Sequence, residues 1–431
     1  MHRLTVMVAG LMFAGGGLAA QGVARADEPK RPRVRGDTNS ALVYYELGVR
    51  LLQQQPEEAA AAFYWASRLS PEWASAPYAR RVALYATDAR LLARYYGLTG
   101  RMLISRPVGE LDSLLLRAEM LDPFFARDLE TEFLELAIRS QLEQMIERSG
   151  GGATSIDVAG STVSVTFRTE AAVTRRSGAP GQPVDRAYLD NMSRQVLNSD
   201  GAFLSRAARA MRAGDFAEAV DLYQRALPES RLQPQIHADR ARAFERMGQV
   251  DSALTELRIA IAKLDREENQ PYRRVYQSRA ALEYAIGALL ERNGRAAEAR
   301  DAYTRAVTAD RAYYPAYERL GMLTLAAGDT VAALDVLAGG VQVAPAEAAP
   351  RVTLGLVLAQ SGRVDDAVDL LQRAIELEPY YPWGYYVLGR VSEGRADPSV
   401  AVEAYRAFLA RAPADHARRA DATQRLQRLA P

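Results

Sequence analysis

The sequence predicts an all-α protein, a right-handed superhelix of stacked helical hairpins. Three observations carry that reading. Glycine recurs at Gly214, Gly248, Gly294, Gly328 and Gly362, at intervals of 34, 46, 34 and 34 residues. The residues flanking each glycine keep the same register. Hydrophobic residues make up 48% of the 431-residue chain, enough to bury a long repeated core. A fixed period in this range marks stacked supersecondary units, none of which buries its apolar face alone.

The elements follow in chain order. His2 and Arg3 precede an apolar stretch, Leu4 to Ala20, and Ala24-Arg25-Ala26 gives a small-x-small cleavage pattern. Residues 1–26 therefore read as a secretory signal peptide cut after Ala26. Residues 27–39, with Pro29 and Pro32, read as a flexible leader. Residues 40–148 read as a helical region holding one degenerate repeat, with Leu47-Gly48, Ala60, Tyr64 and Pro71 near the expected offsets. Within it, Glu110–Met120 is expected to be helical. Asp122-Pro123 has the form of an N-cap with proline at the first helical position, opening a long helix to Arg148. Residues 149–184 read as a linker. Ile156, Val158, Val163, Val165 and Phe167 alternate around Ala159-Gly160 there, a small β-hairpin signal. Residues 185–199 return to helix.

Six repeats then fill 200–233, 234–267, 280–313, 314–347, 348–381 and 382–415, with a 12-residue insertion after the second. Seven positions before each turn glycine stand Ala207, Ala241, Gly287, Gly321 and Gly355. Five after it stand Ala219, Ala253, Ala299, Ala333 and Ala367, and four further on Tyr223, Leu257, Tyr303, Leu337 and Leu371. The sixth copy continues with Gly389, Ala401, Tyr405 and Phe408, its turn altered to Gly394-Arg395-Ala396-Asp397. Small residues are needed where two helices cross closely, since a larger side chain would hold them apart and open a void. The turn glycine supplies positive φ to end the first helix. Pro345, Pro379 and Pro413 end second helices. Residues 416–431 read as a capping helix that covers the last apolar face.

These columns resemble the tetratricopeptide repeat family over about 200–415, with Gly214-Asp215-Phe216-Ala217-Glu218-Ala219 and Gly362–Ala367 close to its pattern. Arg240-Ala241 departs from it where Leu-Gly is usual, and three repeats lack the terminal proline. The resemblance implies that the first helix of each repeat lines a concave groove that binds other proteins or peptides. Carried onto this chain, the groove residues are Arg242, Glu245, Tyr284 and Glu291 in repeats two and three. Glu318, Met322 and Leu325 follow in repeat four, then Val352 and Leu356 in repeat five. Trp383, Tyr386, Arg390 and Glu393 complete the strip in repeat six. Its middle is apolar and its ends are charged, which suits an extended or helical peptide with a few apolar anchors. The Lys and Asn that some members use to grip a C-terminal carboxylate are missing at Ala208, Arg242, Ala288, Met322, Leu356 and Arg390.

Other chemistry is poorly represented. There is no cysteine, so disulfides, thiolate catalysis and lipoprotein anchoring are excluded. Histidine occurs only at His2, His237 and His416, which leaves no His-based metal motif; His237 sits at a packing position. The net charge of +1 does not suit nucleic acid. The pairs Glu57-Glu58, Asp365-Asp366 and Glu267-Glu268 read as helix-start charges favoured by the helix dipole. Gly150-Gly151-Gly152 lacks the Gly-Lys-Ser/Thr that a phosphate loop requires. No cofactor, metal or catalytic residue is assigned. The expectation is a scaffold in the periplasm or secreted, without a membrane anchor after signal cleavage, serving envelope assembly or secretion. Two alternatives stand beside it. One is a glycan-binding envelope protein using the aromatic clusters Tyr313-Tyr314-Pro315-Ala316-Tyr317 and Tyr380-Tyr381-Pro382-Trp383 with Tyr385-Tyr386. The other is an enzyme with its site in residues 101–197.

Overall fold

The structure is a computed structural model. It describes residues 28–87, 110–125, 129, 153–159, 162–167, 200–228, 230, 233–267, 278–395 and 398–429. The signal segment, the long helix from Pro123 to Arg148, the helix at 185–199 and the insertion after repeat two lie wholly or almost wholly outside the described residues. Two compact units are distinguished: residues 30–345, and residues 346–431 with 1–29.

The 30–345 unit begins with α1 (Ala41–Leu51), α2 (Pro56–Leu69) and α3 (Ser75–Ala86), followed by α4 (Glu110–Leu121). Residues 28–40 form no helix or strand, yet Arg31 is held there. Its guanidinium lies 5.1 Å from the Tyr44 ring and 4.9 Å from the Trp65 ring, and its Nε donates to the Tyr44 hydroxyl. The leader is anchored at that point. Strands β1 (Ala153–Ala159) and β2 (Thr162–Phe167) pair antiparallel, with Ile156 opposite Val165 and Val158 opposite Val163. This is the alternation read from the sequence.

Four hairpins follow in the same unit. They are α5 (Asp200–Ala213) with α6 (Phe216–Ala226), α7 (Gln233–Arg246) with α8 (Val250–Glu267), α9 (Arg279–Arg292) with α10 (Ala296–Ala309), and α11 (Tyr314–Ala326) with α12 (Thr330–Val343). The 346–431 unit holds α13 (Ala349–Gln360) with α14 (Val364–Leu377), α15 (Pro382–Ser392) with α16 (Ser399–Arg411), and α17 (Arg419–Leu429). The architecture is an all-α stack of hairpins. All five turn glycines take φ between +72° and +92°, a conformation that closes the first helix and costs any other residue strain. Asp215 and Asp329 cap the helices that follow by accepting from the backbone N–H of Glu218 and Ala332.

The crossing of each hairpin is set by a small residue under a large one. A Cβ on Gly287 would lie 2.6 Å from the Tyr303 ring, and one on Gly321 would lie 2.5 Å from Leu337. Tyr303, Leu337, Leu371 and Tyr405 are all buried at these crossings. The N-terminal pair α1–α2 repeats the device: a Cβ on Gly48 would meet Phe63 at 2.6 Å. Phe63, and not Tyr64, fills the column there. Pro56 opens α2 eight residues after Gly48, whereas Ala296, Thr330 and Val364 open theirs nine after Gly287, Gly321 and Gly355, which shifts the register of α2 by one. Tyr64 is only half-buried and Arg80 stacks over it.

The apolar interior runs as separate clusters. One joins Phe63, Tyr78, Leu115 and Phe125 in the N-terminal region. A second spans repeats two to four, including Leu254, Leu257, Leu289 and Tyr303. Helix α9 is apolar on nearly every face because it is packed on nearly every face; Leu282, Tyr284, Ala285, Ile286, Leu289 and Leu290 are all buried. Among the described residues no helix is long and apolar enough to cross a membrane.

Candidate functional site

The first helices of the hairpins carry the candidate groove residues, and the structure treats them in three ways.

In repeats two and three they are engaged by the chain itself. Arg242 of α7 pairs with Asp239, and its Nε donates to the Pro123 carbonyl at 2.9 Å. Glu245 accepts from Arg292 at 3.4 Å. Tyr284 is buried between Tyr303 and Tyr313, its ring centre 5.4 Å from each, and burial pushes its hydroxyl pKa well up. Glu291 accepts from the Tyr303 hydroxyl at 2.8 Å and from Arg319 Nε at 3.0 Å. Burial, then the Glu291 hydrogen bond, holds Tyr303 protonated, so its hydroxyl remains the donor.

In repeat six the same arrangement returns. Tyr386, Glu393 and Tyr405 stand 102 positions after Tyr284, Glu291 and Tyr303, which is three repeat lengths. Glu393 accepts from the Tyr405 hydroxyl and from Arg425 Nη1 at 2.9 Å. Tyr386 is buried and donates to Asp421 at 2.6 Å. Asp421 and Arg425 belong to α17, so the capping helix covers this face. Arg425 and the Tyr386 hydroxyl hold the Asp421 carboxyl below the usual carboxylate range. Arg390 remains exposed, and Trp383 stacks on Tyr386 at 5.4 Å.

Repeats four and five are different. Met322 and Leu325 of α11 and Leu356 of α13 are partly exposed. Glu318 is half-buried. Val352 is buried and packs towards Gly384. Three groove candidates are thus corrected: Tyr284, Val352 and Tyr386 are core residues, because each is covered by a neighbouring element. Sequence reasoning placed them on the lining by position within the first helix, which fixes direction but not what lies over it.

The aromatic clusters are mostly structural. Tyr313, Tyr314 and Tyr385 are buried as well as Tyr386. Tyr317 and Tyr385, 68 positions apart, each donate a hydroxyl hydrogen bond to the carbonyl six residues earlier, Arg311 at 3.1 Å and Pro379 at 3.2 Å. They fasten the inter-repeat turns, and little of the proposed glycan ledge is exposed.

His237 is buried with its Nδ1 2.7 Å from Glu256, and Arg240 reaches the same carboxylate at 3.1 Å. Asp365 and Asp366 open α14, and Glu57 and Glu58 open α2. Glu267 instead ends α8, so the dipole reading does not apply to it. Among the described residues no group of three acidic or imidazole side chains is placed to hold a metal ion. Most of 101–197 lies outside the described residues.

The tetratricopeptide repeat family matches residues 202–238 and 324–380. The chain carries tetratricopeptide repeats in these stretches, a fold that serves as a scaffold for protein–protein interaction. No curated protein matches the sequence. Among solved structures, Pseudomonas aeruginosa pilF aligns at 15% identity over 53% of this chain and 95% of its own, with TM-score 0.40. MamA residues 41 to the end, from Desulfovibrio magneticus RS-1, align at 21% identity over 42% and 94%, with TM-score 0.34. YrrB, a TPR protein with an unusual peptide-binding site, aligns at 16% over 46% and 95%, with TM-score 0.33. Likeness at these scores adds nothing to what the repeats show by themselves.

Proposed function

We propose that this chain is a non-catalytic scaffold exported from the cytoplasm, and that it holds partner segments on the apolar first-helix face of repeat four and, independently, on that of repeat five. One observation carries the reading. Repeats three and six bury their groove tyrosine and tie their groove glutamate, whereas Met322, Leu325 and Leu356 keep part of their apolar surface in water. Side chains of this kind suit the anchors of an extended or amphipathic peptide. Preformed helices lose little entropy on binding, so modest apolar contact suffices for measurable affinity. Export rests on the Leu4–Ala20 segment and the Ala24-Arg25-Ala26 site, and it makes a role in envelope assembly or secretion the natural setting.

The test has two arms. Partners retained by the immobilised chain from envelope extract are identified, purified and titrated against variants. Met322→Asp and Leu356→Asp are expected to weaken binding at least tenfold with helical circular dichroism unchanged, while the exposed Thr308→Asp has no effect. Binding that ignores both substitutions would overturn the assignment. Mass spectrometry of protein from the envelope fraction is expected to show a chain beginning at Asp27; an intact N-terminus in the cytoplasmic fraction contradicts export.

A further inference from the structure

The first-helix face of repeats two and three is covered by another segment of the same chain. The turn after α4 reads Asp122-Pro123-Phe124-Phe125. Its two rings part company. Phe125 enters the N-terminal cluster against Tyr78, with ring centres 5.2 Å apart. Phe124 enters the cluster of repeats two to four. Around it the polar contacts are those of a recognition site. Asp122 closes the turn by accepting from the Phe124 N–H at 2.9 Å. Arg242 Nε donates to the Pro123 carbonyl, Arg292 reaches Asp122 at 3.3 Å, and the Arg292 guanidinium lies 5.5 Å from the Phe124 ring. Ala238, Ala281 and Ala285, with the larger Leu257 and Leu282, line the space beside the ring.

The fit is incomplete. A cavity of about 30 Å³ remains among Phe124, Ala285 and Leu257. Interiors close-pack. A docked segment that leaves a cavity beside its ring is held by a few anchors, as at an interface.

We propose that this face is a receptor for a short acid–proline–phenylalanine turn, filled in cis by Asp122–Phe124 and filled by a partner segment of the same chemistry when the cis segment is displaced. The proposal rests on the scaffold reading but concerns a face other than that of Met322 and Leu356. Either can therefore fail alone. Tethering explains why the cis segment dominates. Being part of the same chain, it acts at an effective concentration that a dilute free peptide does not outcompete.

The experiment uses the full chain and a fluorescent peptide with the sequence of residues 118–128, read by anisotropy. The Phe124→Ala chain is expected to bind the peptide at least about tenfold more tightly than the unaltered chain. Adding Arg242→Ala should reverse that gain, and a peptide with alanine in place of its first phenylalanine should not bind. If Phe124→Ala does not fold, Asp122→Ala serves, since it loosens the turn and leaves both rings. Equal binding to altered and unaltered chains, or binding indifferent to Arg242→Ala, overturns the proposal. A concentration-dependent dimer of the unaltered chain in light scattering would assign the face to a second copy and overturn the partner reading.

Discussion

Repeats three and six differ from repeats four and five in a coupled pair of positions, and the difference shows how a polar bracket replaces apolar surface at one point of the first-helix face. In repeats three and six the crossing column holds tyrosine, Tyr303 and Tyr405, each buried with a hydroxyl that needs an acceptor. Twelve residues earlier stand Glu291 and Glu393, which accept from it. Each carboxylate then draws an arginine from the helix that follows the hairpin, Arg319 or Arg425. In repeats four and five the crossing column holds Leu337 and Leu371. No hydroxyl needs satisfying, and Leu325 and Ala359 stand where the glutamates would be. The residue inside the hairpin thus goes with the polarity of one position on the face outside it.

The largest effects should come from emptying the tyrosine column. Tyr303→Ala and Tyr405→Ala each remove a buried ring and are expected to cost about 3–5 kcal/mol in urea unfolding. Next comes the transplant that tests the comparison itself. Leu337→Tyr buries a hydroxyl without an acceptor in repeat four and should cost about 1–3 kcal/mol, with overpacking adding to it. Adding Leu325→Glu should return part of that loss, with a coupling of about 0.5–3 kcal/mol in a double-mutant cycle. No coupling would break the link between the two columns. A similar cost, about 1–3 kcal/mol, is expected for Glu291→Ala, which orphans the Tyr303 hydroxyl. Glu393→Ala should in addition raise amide exchange selectively in α17.

The smallest effect is acid sensitivity of the cap. Asp421 has its folded pKa depressed by Arg425 and the Tyr386 hydroxyl. Its contribution is therefore present above the unfolded carboxylate pKa, about 4, and lost as pH falls through the lower folded value. Urea unfolding at pH 3 should show a loss relative to pH 5 that Asp421→Asn reduces. Asp421 is one-third exposed, so solvent keeps the contribution small.

Much of the fold was legible because its signals are local and repeated. Turn glycines, small crossing residues and terminal prolines recur in register, and the hairpin boundaries follow from them. Repetition also limited the reading. The degenerate N-terminal repeat is one residue short between Gly48 and its ring, so Phe63 takes the place that fixed offsets gave to Tyr64. The groove was read by direction along the first helices. What covers a face depends on contacts far apart in the chain. Asp122 and Arg292 are separated by 170 residues, and nothing local to either announces the other. The Tyr–Glu brackets had a visible signal: Glu291 with Tyr303 and Glu393 with Tyr405 share one 12-residue offset in two repeats, with leucine at the same column in the two repeats between.

The central claim is that partners bind where repeats four and five leave apolar surface. The chain has no cysteine, so a single introduced thiol is the only one that reacts. Met322→Cys and Leu356→Cys, each coupled to a bulky maleimide, are expected to abolish binding of the purified partner, while the same label at Thr308→Cys leaves it intact. Undiminished binding with both inner positions labelled would contradict the account.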